Sequence, residues 1–309
     1  MKNTLRKVAF FASLGERLLP SFLKPLLFGN CFLVFEAAVT EEQCFYPVKG
    51  DSSFLFHWNK TCSGLRMAQW KIGCSGYYYA EWKGLFYPPD LPKNKWFEFY
   101  CTHFNTIELN TTFYRFPRTE FLRGWYQRSP ADFTFSVKAP RLITHIKRLK
   151  DAQRYISDFY TTVDKGLKEK VACMLFQFPA TYIYQRESLD HLVSLLHRDF
   201  MNVVEFRHVS WWNAEVFAAL EANGIAFSGM SHPQLPDDVI KTAPTIYYRF
   251  HGVPNLYISR YRPEQLEVTA KKIQTIGASS PAYLYFNNTA EGAAIDNARE
   301  LLSIGELVH

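Results

Sequence analysis

Several residue types able to do acid–base or anion-binding chemistry recur in this sequence at one kind of place, late in short apolar runs and two positions apart. Thr106-Ile107-Glu108-Leu109-Asn110 carries Glu108 and Asn110, and Phe133-Thr134-Phe135-Ser136-Val137-Lys138 carries Ser136 and Lys138. Val203-Val204-Glu205-Phe206-Arg207 and Tyr247-Tyr248-Arg249-Phe250-His251 repeat the arrangement, while Gln177 and Asn287 end two further runs. Side chains alternate along a strand, so residues two apart share a face. An isolated charge in a dry interior costs several kcal/mol, so such groups must pair or face water. Glutamate and histidine can exchange protons with a substrate, and lysine and arginine can stabilise negative charge as it develops.

Each of these residues also admits a plainer role. Glu205 and Arg207 could be an interstrand ion pair rather than substrate contacts. Lys138 either neutralises Glu108 or Glu205, or serves as a nucleophile, which requires a depressed pKa. His251 is either a general acid/base or a satisfied structural histidine. Glu108, Glu205, His208 and His251 could bind a divalent metal, but they lack a ligand motif of fixed spacing, so no metal site is assigned. Two acids against three cations, Lys138, Arg207 and Arg249, leave the set slightly cationic. Guanidinium grips carboxylate and phosphate bidentately, so an anionic ligand is expected.

The elements that would carry these groups alternate along the chain. Eight runs read as strands: 71–77, 106–114, 133–139, 171–179, 201–208, 224–231, 245–252 and 282–288. Stretches of helical spacing lie between most of them, at 95–104, 151–167, 188–196, 211–222, 263–276 and 290–302. Strand–helix alternation signals a parallel sheet, and eight units in about 250 residues fit a closed (β/α)8 barrel. The turn Gly73-Cys74-Ser75-Gly76-Tyr77 is neither a dinucleotide nor a phosphate loop, which disfavours a doubly wound sheet. The connection 232–243 is too proline-rich for a full helix.

The 309 residues are 48% hydrophobic and 17% aromatic, enough for a large core without disulfide staples. The net charge of +6 shows no basic run of the kind that tracks a phosphate backbone. Six cysteines, with no C-x-x-C pair, read as free thiols in a reducing compartment, which points to the cytoplasm. Residues 1–66 read as a poorly ordered extension or as no part of the native chain, with 67–309 as the barrel domain. The longest uncharged piece of that extension, Pro25 to Phe35, has eleven residues, against roughly 20 needed to span a bilayer, so no membrane association is expected.

From about Lys71 to Leu302 the sequence resembles the YecE-like family, known as domain of unknown function 72. The resemblance rests on Ile72-Gly73-Cys74-Ser75-Gly76, Glu108-Leu109-Asn110-Thr111-Thr112-Phe113-Tyr114, Phe135-Ser136-Val137-Lys138-Ala139 and Ile143-Thr144-His145. It continues through Leu175-Phe176-Gln177-Phe178-Pro179, Glu205-Phe206-Arg207-His208 with Trp211, Arg249-Phe250-His251-Gly252 and Phe286-Asn287-Asn288. Tyr77 stands where the family commonly has Trp. The resemblance implies a TIM-barrel-like fold and supplies no settled reaction.

The expected protein is therefore a cofactor-independent hydrolase, lyase or isomerase acting on a small or polymeric anion, with its oligomeric state left open. Glu108, Lys138, Glu205 and His251 are the catalytic candidates. Asn110, Gln177, Arg207, His208, Arg249 and Asn287 would bind substrate, and Tyr114 and Trp211 would form aromatic walls. A nucleic-acid-binding or nucleic-acid-processing barrel and a non-catalytic binding protein are the alternatives.

Overall fold

A computed structural model describes residues 70–308, together with Pro47–Val48 and Leu55–Phe56, which pair as two short antiparallel strands. The expectations for residues 1–66 otherwise lie outside the described residues.

Eight parallel strands form a nearly closed barrel: β1 (Trp70–Cys74), β2 (Thr106–Leu109), β3 (Thr134–Lys138), β4 (Val171–Phe178), β5 (Asn202–Phe206), β6 (Ala226–Ser231), β7 (Ile246–Phe250) and β8 (Ala282–Phe286). The ladder runs β1-β8-β7-β6-β5-β4-β3-β2. Between the strands lie α1 (Trp96–Cys101), α2 (Thr111–Tyr114), α3 (Thr119–Arg128), α4 (Gln153–Leu167), α5 (Arg186–Leu195), α6 (Ala214–Ala222) and α7 (Pro263–Gly277), and α8 (Ala293–Val308) follows β8. As the proline content requires, β6 reaches β7 without a helix. The loop presses on β6 so closely that a Cβ at Gly229 would lie 2.5 Å from the Asp238 carbonyl oxygen.

Period-two alternation divides each strand between two environments. Ile107, Leu109, Phe135, Val137 and Phe206 join the large core between the strands and the helices. On the helix side, Ile156, Phe159, Tyr160, Val163 and Leu167 form one buried stripe of α4 at a spacing of three or four. Leu175, Val203, Tyr247 and Tyr285 form a separate, smaller cluster filling the barrel interior. The buried Tyr285 hydroxyl is satisfied by Thr106 Oγ1 at 2.6 Å and Ser136 Oγ at 2.9 Å, as a polar group in a dry layer must be.

The barrel has one seam. Each neighbouring pair in the ladder is joined by backbone bonds, but among the described residues none join β1 to β2. A side chain takes their place. The Tyr100 hydroxyl of α1 accepts from Cys74 N at 2.8 Å and donates to Thr106 O at 3.1 Å, linking the two strands. Gly73 permits the approach, since a Cβ there would lie 2.4 Å from Thr106 O.

Two sequence expectations differ from the fold. The second run was expected as strand from Thr106 to Tyr114, but strand pairing stops at Leu109 and Thr111–Tyr114 turn helical. The Thr112 hydroxyl holds that turn, being 2.9 Å from Leu109 O and 2.6 Å from Lys138 O. Helix α3 was not anticipated. Gly124 interrupts its pattern and only Leu122 is fully buried.

Candidate functional site

Strand alternation brings a charged lattice to the C-terminal half of the barrel. Arg249 of β7 lies between two carboxyls, donating from Nη2 to Glu108 Oε1 at 2.5 Å and from Nη1 to Glu205 Oε2 at 2.7 Å. The Tyr247 hydroxyl donates to the other Glu108 oxygen at 2.7 Å. Arg207 Nε donates to Glu205 Oε1, and Arg207 Nη2 lies 3.0 Å from His251 Nε2. Asn287 Nδ2 ends the chain 3.1 Å from His251 Nδ1. Glu108, Glu205, Arg249 and His251 are all fully buried.

The electrostatics follow from this packing. Burial raises the pKa of Glu205, but Arg207 and Arg249 outweigh it and hold the carboxyl well below its ordinary value. Burial and the Arg207 guanidinium push His251 well below its usual range, so its ring is neutral at pH 7. Burial opposes the Arg249 charge, yet Glu108 and Glu205 together hold its pKa above the usual value.

Above the lattice opens a cavity of about 580 Å³, formed where β1, β2, β3 and β8 end. Ser75, Asn110, Lys138 and Asn287 supply polar atoms at those strand ends, and Tyr77, Tyr79, Phe113, Tyr114, Trp125 and Tyr257 supply aromatic walls. No acidic residue lines it, and Lys138 is its sole lysine, arginine or histidine. Burial and then Arg249 lower the Lys138 pKa to about 7, although Glu205 and Glu108 pull the other way. Its Nζ lies 4.4 Å from the Phe113 ring centroid. Ser75 Oγ and Asn110 Oδ1 are buried at the same place without a hydrogen-bond partner among the described residues. A buried polar atom left unpaired costs about 1–3 kcal/mol, so these atoms are poised for a ligand.

The structure thus draws Glu108, Glu205, Arg207, Arg249, His251 and Asn287 into one network, with Asn110, Lys138 and Tyr114 in the adjoining cavity. Other candidates take different places. Arg249 is enclosed, with both terminal nitrogens engaged by carboxyls, so its guanidinium does not face the cavity as the sequence suggested. Trp211 is buried against Phe206, with ring centroids 3.9 Å apart, and its Nε1 donates to Tyr182 O; it lines no part of the cavity. His208 caps its own turn by accepting from Ser210 N at 3.2 Å. Gln177 donates to the neighbouring Phe178 carbonyl at 2.8 Å. Sequence reasoning missed Ser75 and the walls formed by Tyr77, Tyr79 and Trp125. Three consecutive tyrosines, Tyr77 to Tyr79, shortly after the end of a strand at Cys74 were the available signal.

Among the described residues, no group of three His, Cys, Asp or Glu side chains converges as a metal site, and no helix is long and apolar enough to cross a membrane. Cys74, Cys101 and Cys173 are free thiols; the other three cysteines lie outside the described residues.

The family model for a protein of unknown function, DUF72, matches residues 71–307. The UPF0759 protein YunF of Bacillus subtilis is 26% identical over 251 residues, covering 71% of this chain and 89% of that protein. The UPF0759 protein YecE of Escherichia coli is 32% identical over 112 residues, covering 36% of this chain and 41% of its own length. The crystal structure of a DUF72 family protein from Thermotoga maritima superposes with a TM-score of 0.71 at 28% identity, covering 77% of this chain and 99% of that one. A DUF72 family protein from Enterococcus faecalis, at 18% identity, shares the fold with a TM-score of 0.67, covering 78% of this chain and 97% of that one.

Proposed function

The chain belongs to the DUF72 family, and from that premise we propose that it is an enzyme that binds a small anionic substrate in the mouth cavity and moves a proton through Lys138. The observation that carries this reading is the placement of Lys138 as the sole cationic side chain in a cavity without acids, where burial and Arg249 hold its amine down to about 7.

Near neutrality both forms of Lys138 are populated, the condition under which an acid–base group works best in either direction. In its protonated form it attracts a carboxylate or phosphate. In its neutral form it accepts a proton from a carbon or hydroxyl of the bound molecule. Asn110, Asn287 and Ser75 orient the ligand through atoms that the fold leaves available. Glu108, Glu205, Arg207, Arg249 and His251 act as positioning residues, because their mutual bonds fix the charge beneath the amine. The aromatic walls exclude water and strengthen each interaction inside. Proton transfer of this kind serves isomerases, lyases and hydrolases alike.

The test is mass spectrometry of small molecules retained by protein purified from cells, with Lys138→Met as the control. A carboxylate or phosphate compound held by the native protein and lost from the variant supports the reading. Retention by both proteins, or retention of a neutral compound alone, overturns it.

A further inference from the structure

The positive charge of this protein is concentrated in one segment. Residues 111–151 hold nine lysines and arginines against three acids, a surplus equal to the +6 of the whole chain. This stretch includes the connections that leave β2 and β3 at the barrel mouth. Burial first, and then Lys138, Arg141 and Arg148 of this segment together with Arg207, lower the His145 pKa to about 4.

A groove of about 1090 Å³ lies in the same segment and shares Tyr77, Thr111 and Trp125 with the mouth cavity. Its floor follows from helix spacing: Arg118, at the cap of α3, and Phe121, Trp125 and Arg128 recur at intervals of three or four and share a face. Tyr114, Phe116 and Phe121 are exposed at 72%, 38% and 66%. Large exposed rings gathered at one place mark an interaction surface. No carboxylate lies within ion-pairing distance of Arg115 or Arg118 among the described residues, and Glu120 is the only acid that lines the groove.

We propose that this groove binds single-stranded nucleic acid, with phosphates on Arg115 and Arg118 and bases stacked on Phe116 and Phe121. Tyr114-Arg115-Phe116-Pro117-Arg118 sets rings between cations, so a flexible strand can present planar faces and charges in turn. A duplex hides its base faces in the stack, and an acidic peptide has charge without such faces. The charge balance favours the strand over an apolar helix or a second copy of this basic chain. This surface is separate from the proton chemistry proposed for Lys138 and does not require it.

The experiment is fluorescence anisotropy with a labelled oligothymidylate of about a dozen nucleotides, titrated across salt concentrations and repeated in competition with polyglutamate. The native protein should bind with affinity that falls as salt rises. The double variant Arg115→Ala/Arg118→Ala should reduce the log–log salt slope by about 1.4, close to 0.7 for each phosphate contact. Phe116→Ala/Phe121→Ala should weaken binding roughly tenfold or more with the slope unchanged. Lys138→Met should bind as the native protein does, which separates this surface from the cavity. No binding at low salt overturns the proposal, as does equal competition by polyglutamate with no effect of the aromatic variant.

Discussion

Arg249 and Glu108 stand 141 positions apart in sequence, yet their side chains meet at 2.5 Å with neither in contact with solvent. The same guanidinium meets Glu205 at 2.7 Å, so one arginine balances two carboxyls from β2 and β5. Its role is to hold three strands in register at the base of the mouth. Arg249→Met would leave both carboxyls buried with less compensating charge. The expected cost is about 3–5 kcal/mol in urea unfolding, the range for a broken buried pair. A loss below about 1 kcal/mol would mean that Arg207 and Tyr247 suffice without it.

Lys138 gives a pH signature in stability itself. Its folded pKa, about 7, lies below its ordinary value of 10.5, so between those limits the unfolded chain binds more protons. Stability contributed by this residue therefore rises with pH across that window, by at most about 1.4 kcal/mol per pH unit. Below pH 7 both states are protonated and the full cost of burying the ammonium remains. The stability difference between the native protein and Lys138→Met should change with that slope between about pH 7 and 10. A difference that stays level over the range would place the amine's pKa near its ordinary value.

The seam depends on the Tyr100 hydroxyl. Tyr100→Phe keeps the ring in place and removes both the acceptor for Cys74 N and the donor to Thr106 O. Leaving those backbone groups unpaired should destabilise the fold by about 1–3 kcal/mol and speed hydrogen exchange at the Cys74 amide. Unaltered exchange at Cys74 would show that the strands are held by something else.

Much of the site was legible because alternation along a strand is a strict geometric rule. Once Glu108, Lys138, Glu205, Arg249 and Asn287 were placed late in parallel strands, their convergence followed from the barrel. What alternation does not give is which charge takes which partner. Arg249 looked available for a ligand because a strand pattern fixes a side chain's face but not the identity of its neighbours across the interior. Trp211 looked like a wall for a similar reason: it follows a strand end closely, but its ring turns back onto Phe206. The cavity's aromatic lining comes from the loops after β1 and β7, where no short period governs direction, and from the helices α2 and α3, neither of which was anticipated. The concentration of charge between residues 111 and 151 was present in the letters but is dispersed among nonconsecutive positions. The fold brings Arg115, Arg118 and Arg128 of that segment to one groove with Phe116 and Phe121.

The absence of a backbone ladder between β1 and β2 has a mechanical result for the mouth. Ser75 and Asn110, which follow those two strands, stand on opposite banks of the gap and both border the cavity. Prising the banks apart would break the two hydrogen bonds of one phenol and the one from Asn110 Nδ2 to Ser75 O at 3.3 Å, whereas widening any other side would unzip a row of amides. The wall is therefore held most sparsely beside the cavity, while the remaining seven joints are ladders of backbone bonds.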